Sequence, residues 1–201
     1  ADNVGDNVGD VAGMGADILD SYVASVVAVM VLGSVVFADP RYVVLPLVLS
    51  AVGILSSLVG MYFVRPGGSN DPGKALNTGT LVTTGAFIVL AIAAVFALGV
   101  DRPMGVILPA VAGVLAGIVI GFTSDAFTDI DQKAVQATAG AANSGPAIVI
   151  IQGFSYGLLS IVPSILGICV AMVAAWFLAE NSGVPGTYGV SVAAVGMLAI
   201  T

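Results

Sequence analysis

The chain has 201 residues, of which 58% are hydrophobic and only 8% are charged, whereas soluble domains carry about 25% charged residues. Twelve acidic and five basic residues give a formal net charge of −7, which argues against nucleic-acid binding and polybasic attachment to lipid headgroups. With no histidine and one cysteine, imidazole chemistry and an intrachain disulfide are excluded. The composition predicts an all-α membrane protein, a bundle of transmembrane helices.

The first predicted element opens with a run of aspartates. Asp2, Asp6 and Asp10 recur every fourth residue, and Asp17 and Asp20 follow at the start of an apolar stretch. In a helix, at about 100° per residue, all five carboxylates fall within an arc of about 80°. Like charges one turn apart destabilise an isolated helix. We therefore expect cations to neutralise these carboxylates, or protons to occupy some of them.

Carboxylate oxygens of this kind suit Mg²⁺, usually with a bound phosphate completing the coordination shell. A calcium-loop fragment and a solvated acidic surface are the alternatives. The EF-hand pattern fails because the acids come every fourth residue and not every second. A solvated surface fits poorly because Asp17 and Asp20 lead into a long apolar run. The pattern therefore favours a functional metal or ion site.

Prolines, glycines and polar segments divide the chain into five complete spans and part of a sixth, within a single transmembrane domain. Their approximate ranges are 2–38, 42–64, 78–100, 104–123, 146–179 and 187–201. We expect a polar loop from Arg65 to Asn77 and a short surface helix within Ile130 to Ala142. The tight turn Asp101 to Pro103 predicts that the third and fourth spans are antiparallel neighbours. The charged start and interrupted last span indicate an internal fragment of a longer protein.

The basic residues suggest an orientation in the membrane. Arg65, Lys74 and Lys133 lie in loops on the same side as the opening aspartates, whereas Arg41 and Arg102 fall on the opposite side. An excess of basic residues marks the cytoplasmic side. We therefore expect the aspartates to face the cytoplasm, with a prokaryotic inner membrane as the default location.

The stretch ADNVGDNVGDVAGMGAD, followed by Ile18, Ser21 and Tyr22, resembles the signature of the membrane-bound, ion-pumping inorganic pyrophosphatases. Two further stretches, Leu45 to Val64 and Ser144 to Pro163, are similar to the same family more loosely. The resemblance implies a homodimer of long helix bundles in the lipid bilayer. It also implies hydrolysis of pyrophosphate with Mg²⁺, coupled to pumping of protons. Sodium pumping is the alternative, and a requirement for K⁺ stays open.

The depth of each aspartate suggests its role in such a site. Asp2 and Asp6, the outermost, are expected to bind Mg²⁺ and through it the substrate pyrophosphate. Asp10, one turn deeper, is the expected catalytic residue, which would orient and deprotonate the attacking water. The family resemblance implies the same roles for the first, second and third aspartates of the motif.

Asp17 lies about 10 Å further along the helix axis, where a carboxylate must be paired or protonated. The resemblance implies that Asp17 belongs to an ion gate, with Asp20 and Ser21 beside it. Many family members carry glutamate in place of Asp20, so the shorter side chain leaves the gate geometry, and hence the ion carried, open.

A rival hypothesis from another class is a secondary ion transporter that uses the aspartates as a relay without hydrolysis. Against it, a relay rarely needs three adjacent acids at its mouth, whereas a magnesium–pyrophosphate site does. A purely structural bundle would leave the cost of Asp17 and Asp20 unexplained. The fragment by itself is expected to be inactive, because other segments must complete the site.

Overall fold

A computed structural model describes residues 2–64 and 72–199, and all regular structure within these ranges is helical. The helices are α1 (Asp2–Val36), α2 (Arg41–Phe63), α3 (Pro72–Leu98), α4 (Met104–Thr128), α5 (Lys133–Ala141), α6 (Pro146–Asn181) and α7 (Gly186–Leu198). Five of them are long and apolar enough to cross a membrane, and α7 is a shorter apolar helix. The predicted all-α membrane helix bundle is confirmed.

Two helices extend five or six residues beyond the ranges expected from the sequence. Helix α3 begins at Pro72, so the expected loop from Arg65 to Asn77 is wrong over its last six residues, and residues 65–71 lie outside the described part. Proline is tolerated in a first helical turn because no amide is needed there. Helix α4 continues past residue 123 to Thr128, whose hydroxyl donates to the carbonyl of Ser124 at 3.1 Å.

Helix α4 packs chiefly against α6 and α7, which also contact each other. Helix α2 pairs with α3, and α1 contacts α2 and α7. Helices α3 and α4 touch only slightly, so the side-by-side packing expected from their short connection is largely absent. The short α5 lies between the ends of α4 and α6.

Small residues bring α4 and α7 into close contact. A Cβ atom added at Gly196 would lie 2.6 Å from the carbonyl oxygen of Ala110, and one added at Gly113 would overlap Ala193. Backbones approach this closely where small residues line both helices, as is common in membranes. Residues of α7 such as Val192 and Val195 are fully buried as a result.

The connections at the end of the bundle away from Asp2 hold the helices together. The Arg41 guanidinium donates to the carbonyl of Gly99, which joins the start of α2 to the α3–α4 connection. The Glu180 carboxylate accepts a hydrogen bond from the backbone N–H of Gly186 at 3.0 Å, at the first residue of α7. This end is therefore held by one bond between segments far apart in the sequence and by one local bond at the start of α7.

Candidate functional site

Every site residue proposed from the sequence lies on α1. The helix runs without a break from Asp2 to Val36, so the three outer aspartates are stacked at intervals of about 6 Å along its axis. All six side chains are exposed; they are those of Asp2, Asp6, Asp10, Asp17, Asp20 and Ser21. The helix thus places the carboxylates in one line and leaves them accessible.

The carboxylates lie on the side of α1 that faces away from its neighbours. The buried residues of α1 are Val26, Val29 and Gly33, which mark the side that packs against α2 and α7. At about 100° per residue, the middle of the aspartate arc falls roughly opposite this packed side. The aspartates therefore point to a region that the other described helices do not fill.

The first 20 of the 35 residues of α1 have no buried side chain. Every residue from 2 to 21 is exposed. A Cβ atom added at Gly5, Gly9, Gly13 or Gly15 would meet nothing within 4 Å. Small residues of this kind permit close helix contact in membranes, and in this chain they are free to receive such contact.

The carboxylates of α1 are of the ligand type that suits Mg²⁺, but too few of them come together to hold the ion. Carboxylate oxygens are the ligands that Mg²⁺ prefers, within an octahedral shell that usually keeps several waters. Within residues 2–64 and 72–199, no group of three or more His, Cys, Asp or Glu side chains is placed to hold a metal ion. Helix α1 therefore offers one wall of a possible cation site, and further ligands would have to come from elsewhere.

Two other polar features of the chain form local hydrogen bonds. The Asn7 side-chain amide donates to the carbonyl of Asn3 at 2.7 Å, so it bonds to its own helix. Between α4 and α5, the carboxylate of Asp129 accepts a hydrogen bond from the backbone N–H of Asp131 at 3.3 Å, and both residues are exposed. The acids of this connection form a local turn.

The structure also shows a buried bond that sequence reasoning missed. The Tyr188 hydroxyl donates to the carbonyl oxygen of Tyr42 at 2.6 Å, across 146 residues of chain. Pro46, four residues after Tyr42, was a usable signal, because proline has no amide to give to that carbonyl. The donor itself could not be found from a single sequence, since several hydroxyl side chains lie in the apolar spans.

The fold defines a multi-pass integral membrane protein whose first described helix carries a line of carboxylates. A family model described as inorganic H⁺ pyrophosphatase matches residues 1–201. The chain therefore belongs to the inorganic H⁺ pyrophosphatase family, and the resemblance seen in the aspartate motif is confirmed.

Curated relatives agree with this membership. A Clostridium tetani protein that carries the name of a K⁺-stimulated pyrophosphate-energized sodium pump is 40% identical, over 100% of this chain and 30% of its own length. A K⁺-insensitive pyrophosphate-energized proton pump 2 from Moorella thermoacetica is 39% identical, over 98% of this chain and 30% of its own length. A K⁺-insensitive proton pump from Caldanaerobacter subterraneus is 36% identical, again over 30% of its length. The chain thus spans about 30% of the length of these relatives.

Proposed function

We propose that the protein hydrolyses inorganic pyrophosphate and couples this reaction to the pumping of protons across the membrane. The observation that carries the proposal is the unbroken α1, which stacks Asp2, Asp6 and Asp10 on the side away from its neighbours. Membership of the inorganic H⁺ pyrophosphatase family supports the choice of substrate. Helix α1 would form one wall of the active site.

Within this site, Asp2 and Asp6 would hold Mg²⁺ and, through it, the substrate. The ion would neutralise phosphate charge as the bond between the phosphates breaks. Asp10, one turn further along the helix, would hold the attacking water in line and take its proton. Because all three lie on one rigid helix, their separations are fixed before the substrate binds.

The ion path would continue along the same side of α1. Asp17 and Asp20 lie two and nearly three turns beyond Asp10, and Ser21 is adjacent. A carboxylate at membrane depth needs a partner, a cation or a proton. Partners for Asp17 and Asp20 would therefore pack on the exposed side of α1. We propose that these three residues form the gate through which the ion passes.

The proton is preferred as the pumped ion because the matching family model is described as inorganic H⁺ pyrophosphatase, and relatives named as proton pumps match nearly the whole chain. Sodium is the alternative, since a relative with a sodium pump's name is equally similar. The relatives' names include both K⁺-stimulated and K⁺-insensitive pumps, so K⁺ is a candidate second cofactor. The ion and the K⁺ effect are separated by assaying pumping with and without each cation.

We further propose a homodimer in a prokaryotic inner membrane, surrounded by lipid, with the aspartates on the cytoplasmic side. The supporting observations are the five apolar helices and the basic Lys133 at the start of the short α5, on the aspartate side. The 201 residues alone would be inactive, because α1 provides only part of a magnesium site.

The test uses the whole protein in sealed membrane vesicles. We expect Mg²⁺-dependent release of phosphate from pyrophosphate, with acidification of the vesicle interior that a protonophore abolishes. Asp10→Asn should abolish hydrolysis, whereas the matched control Asp129→Asn, in the exposed turn, should leave it unchanged. If the unmodified protein releases no phosphate but exchanges ions down a gradient, it is a secondary transporter. Pumping that survives a protonophore and requires Na⁺ would replace the proton by sodium.

A further inference from the structure

The carbonyl of Tyr42 lacks its usual helical donor. In an α-helix this carbonyl would accept from the N–H of the residue four positions later, which here is Pro46 and has none. Pro46 is fully buried, so water is excluded from this part of the helix. A carbonyl freed by proline inside a membrane must be satisfied by a neighbouring group.

Helix α7 supplies the missing donor. The Tyr188 hydroxyl donates to the Tyr42 carbonyl at 2.6 Å, and the Tyr188 side chain is 0% exposed. Its ring meets that of Tyr42 edge-on, with centroids 5.8 Å apart. Tyr188 thus restores, from another helix, the hydrogen bond that Pro46 removes.

Helix α1 packs against the same carbonyl. A Cβ atom added at Gly33 would lie 2.8 Å from the Tyr42 carbonyl oxygen. Phe37, just after α1, stacks on the Tyr42 ring with centroids 3.8 Å apart, and meets Tyr188 edge-on at 5.0 Å. Helices α1, α2 and α7 therefore meet at one atom; we call Gly33, Phe37, Tyr42, Pro46 and Tyr188 the tyrosine junction.

The tyrosine junction lies far from the aspartates but on the same helix. Between Gly33 and Asp10 the helix is about 35 Å long, so a tilt of only 2° at the junction would move Asp10 by about 1 Å. A misplacement of about 1 Å at a reacting group can lower a rate about 100-fold. Among the described residues, α1 is buried only at Val26, Val29 and Gly33. The side chains that hold α1 against its described neighbours therefore lie close to the junction.

We propose that the tyrosine junction orients α1 and thereby positions Asp10, with Tyr188 as a positioning residue that acts through the Tyr42 carbonyl. The inference rests on the proposed function for its catalytic consequence. Tyr188 touches neither substrate nor metal in this role. Its hydroxyl pairs the buried Tyr42 carbonyl at the point where α1 crosses, so its loss leaves that carbonyl without a donor and loosens the base of the helix that carries the aspartates.

The test combines loss and rescue in the whole protein. Tyr188→Phe, which keeps the ring, should lower kcat about tenfold to 100-fold and leave KM within about threefold. Adding Pro46→Ala returns an N–H to the Tyr42 carbonyl and should restore kcat. Two controls make the same kinds of substitution at residues outside the tyrosine junction. Tyr156→Phe alone should leave kcat unchanged, and Pro163→Ala added to Tyr188→Phe should not restore kcat.

A second measurement does not depend on activity. Spin labels at Val11→Cys on α1 and Val119→Cys on α4, both exposed positions, report the direction of α1 as a distance distribution once other cysteines are replaced. Tyr188→Phe should broaden or shift this distribution, and Pro46→Ala should restore it.

The proposal is overturned if Tyr188→Phe leaves both kcat and the distance distribution unchanged, or if Pro46→Ala fails to rescue. A protein that never hydrolyses pyrophosphate, but whose distance distribution responds as described, would contradict the proposed function alone. The tyrosine junction would then still set the direction of α1, without a catalytic consequence.

Discussion

Gly113 of α4 lies directly against the carbonyl of Ala193 in α7, so closely that even a single added methyl group would overlap it. The two helices can cross at this distance only because Gly113 has no side chain. The same crossing is continued by Gly196 against Ala110. The bundle is therefore built around a contact that tolerates no increase in volume.

Gly113→Ala should consequently destabilise the protein. Overpacking of a tight contact typically costs about 1–3 kcal/mol, whereas alanine would otherwise favour a helix by about 1 kcal/mol over glycine. Gly121→Ala is the matched control, because a Cβ atom at Gly121, on the same helix, meets nothing within 4 Å. Thermal unfolding in detergent, followed by circular dichroism, should show a lower Tm for the first variant only. Equal Tm values would show that the crossing can relax.

Removing an outer carboxylate should change the requirement for magnesium. Asp6→Asn deletes one charged oxygen from the line on α1 and keeps its size. If Asp6 is a ligand, the Mg²⁺ concentration for half-maximal pyrophosphate hydrolysis should rise about tenfold or more, because Mg²⁺ prefers charged oxygen donors. Asp125→Asn, in the exposed segment at the end of α4, is the control. An unchanged Mg²⁺ titration would remove Asp6 from the metal site.

A gate variant should separate pumping from hydrolysis. Asp20→Asn removes the charge of the deepest carboxylate on α1. We expect the number of ions moved per pyrophosphate hydrolysed to fall at least about tenfold, because the amide cannot exchange a proton or bind a cation as a carboxylate does. Vesicle acidification and phosphate release are measured on the same preparation. A proportional fall in both would instead place Asp20 in the hydrolytic site.

The start of α7 provides a test of helix capping. The Glu180 carboxylate accepts a hydrogen bond from the N–H of Gly186, at a helix terminus where negative charge is favourable. Glu180→Ala should lower stability by about 1 kcal/mol. Glu180→Gln should cost less, because its amide oxygen still accepts the bond. Thermal unfolding of both variants ranks them, and the reverse order would show that the carboxylate contributes nothing as a cap.

The helices could be predicted from the sequence because each apolar span carries its own signal. Proline and glycine end the spans at Asp39–Pro40 and Gly99–Pro103, and α1 was expected from the long apolar run that precedes Asp39. The least accurate part was the start of α3, where glycine, proline and polar residues resemble a loop although Pro72 opens a helix. Local composition alone could not separate the two.

The packing of the helices could not be predicted in the same way. A short connection suggested that α3 lies along α4, yet α4 packs chiefly against α6 and α7. Complementary shapes such as Gly113 against Ala193 decide this, and their partners are far apart in the sequence. Similarly, the position of the aspartates on one side of α1 followed from periodicity, but the ligands that would complete a metal site did not.

The distance in sequence between Tyr42 and Tyr188 also has a consequence for biogenesis. Their hydrogen bond spans 146 residues, and a ribosome adds about 5–20 residues per second. Tyr42 is therefore synthesised about 7–30 s before Tyr188, which carries the donor. During that interval the Tyr42 carbonyl must accept hydrogen bonds from water, lipid headgroups or the insertion machinery. A pause in translation between α2 and α7 would prolong the time for which this carbonyl lacks its donor.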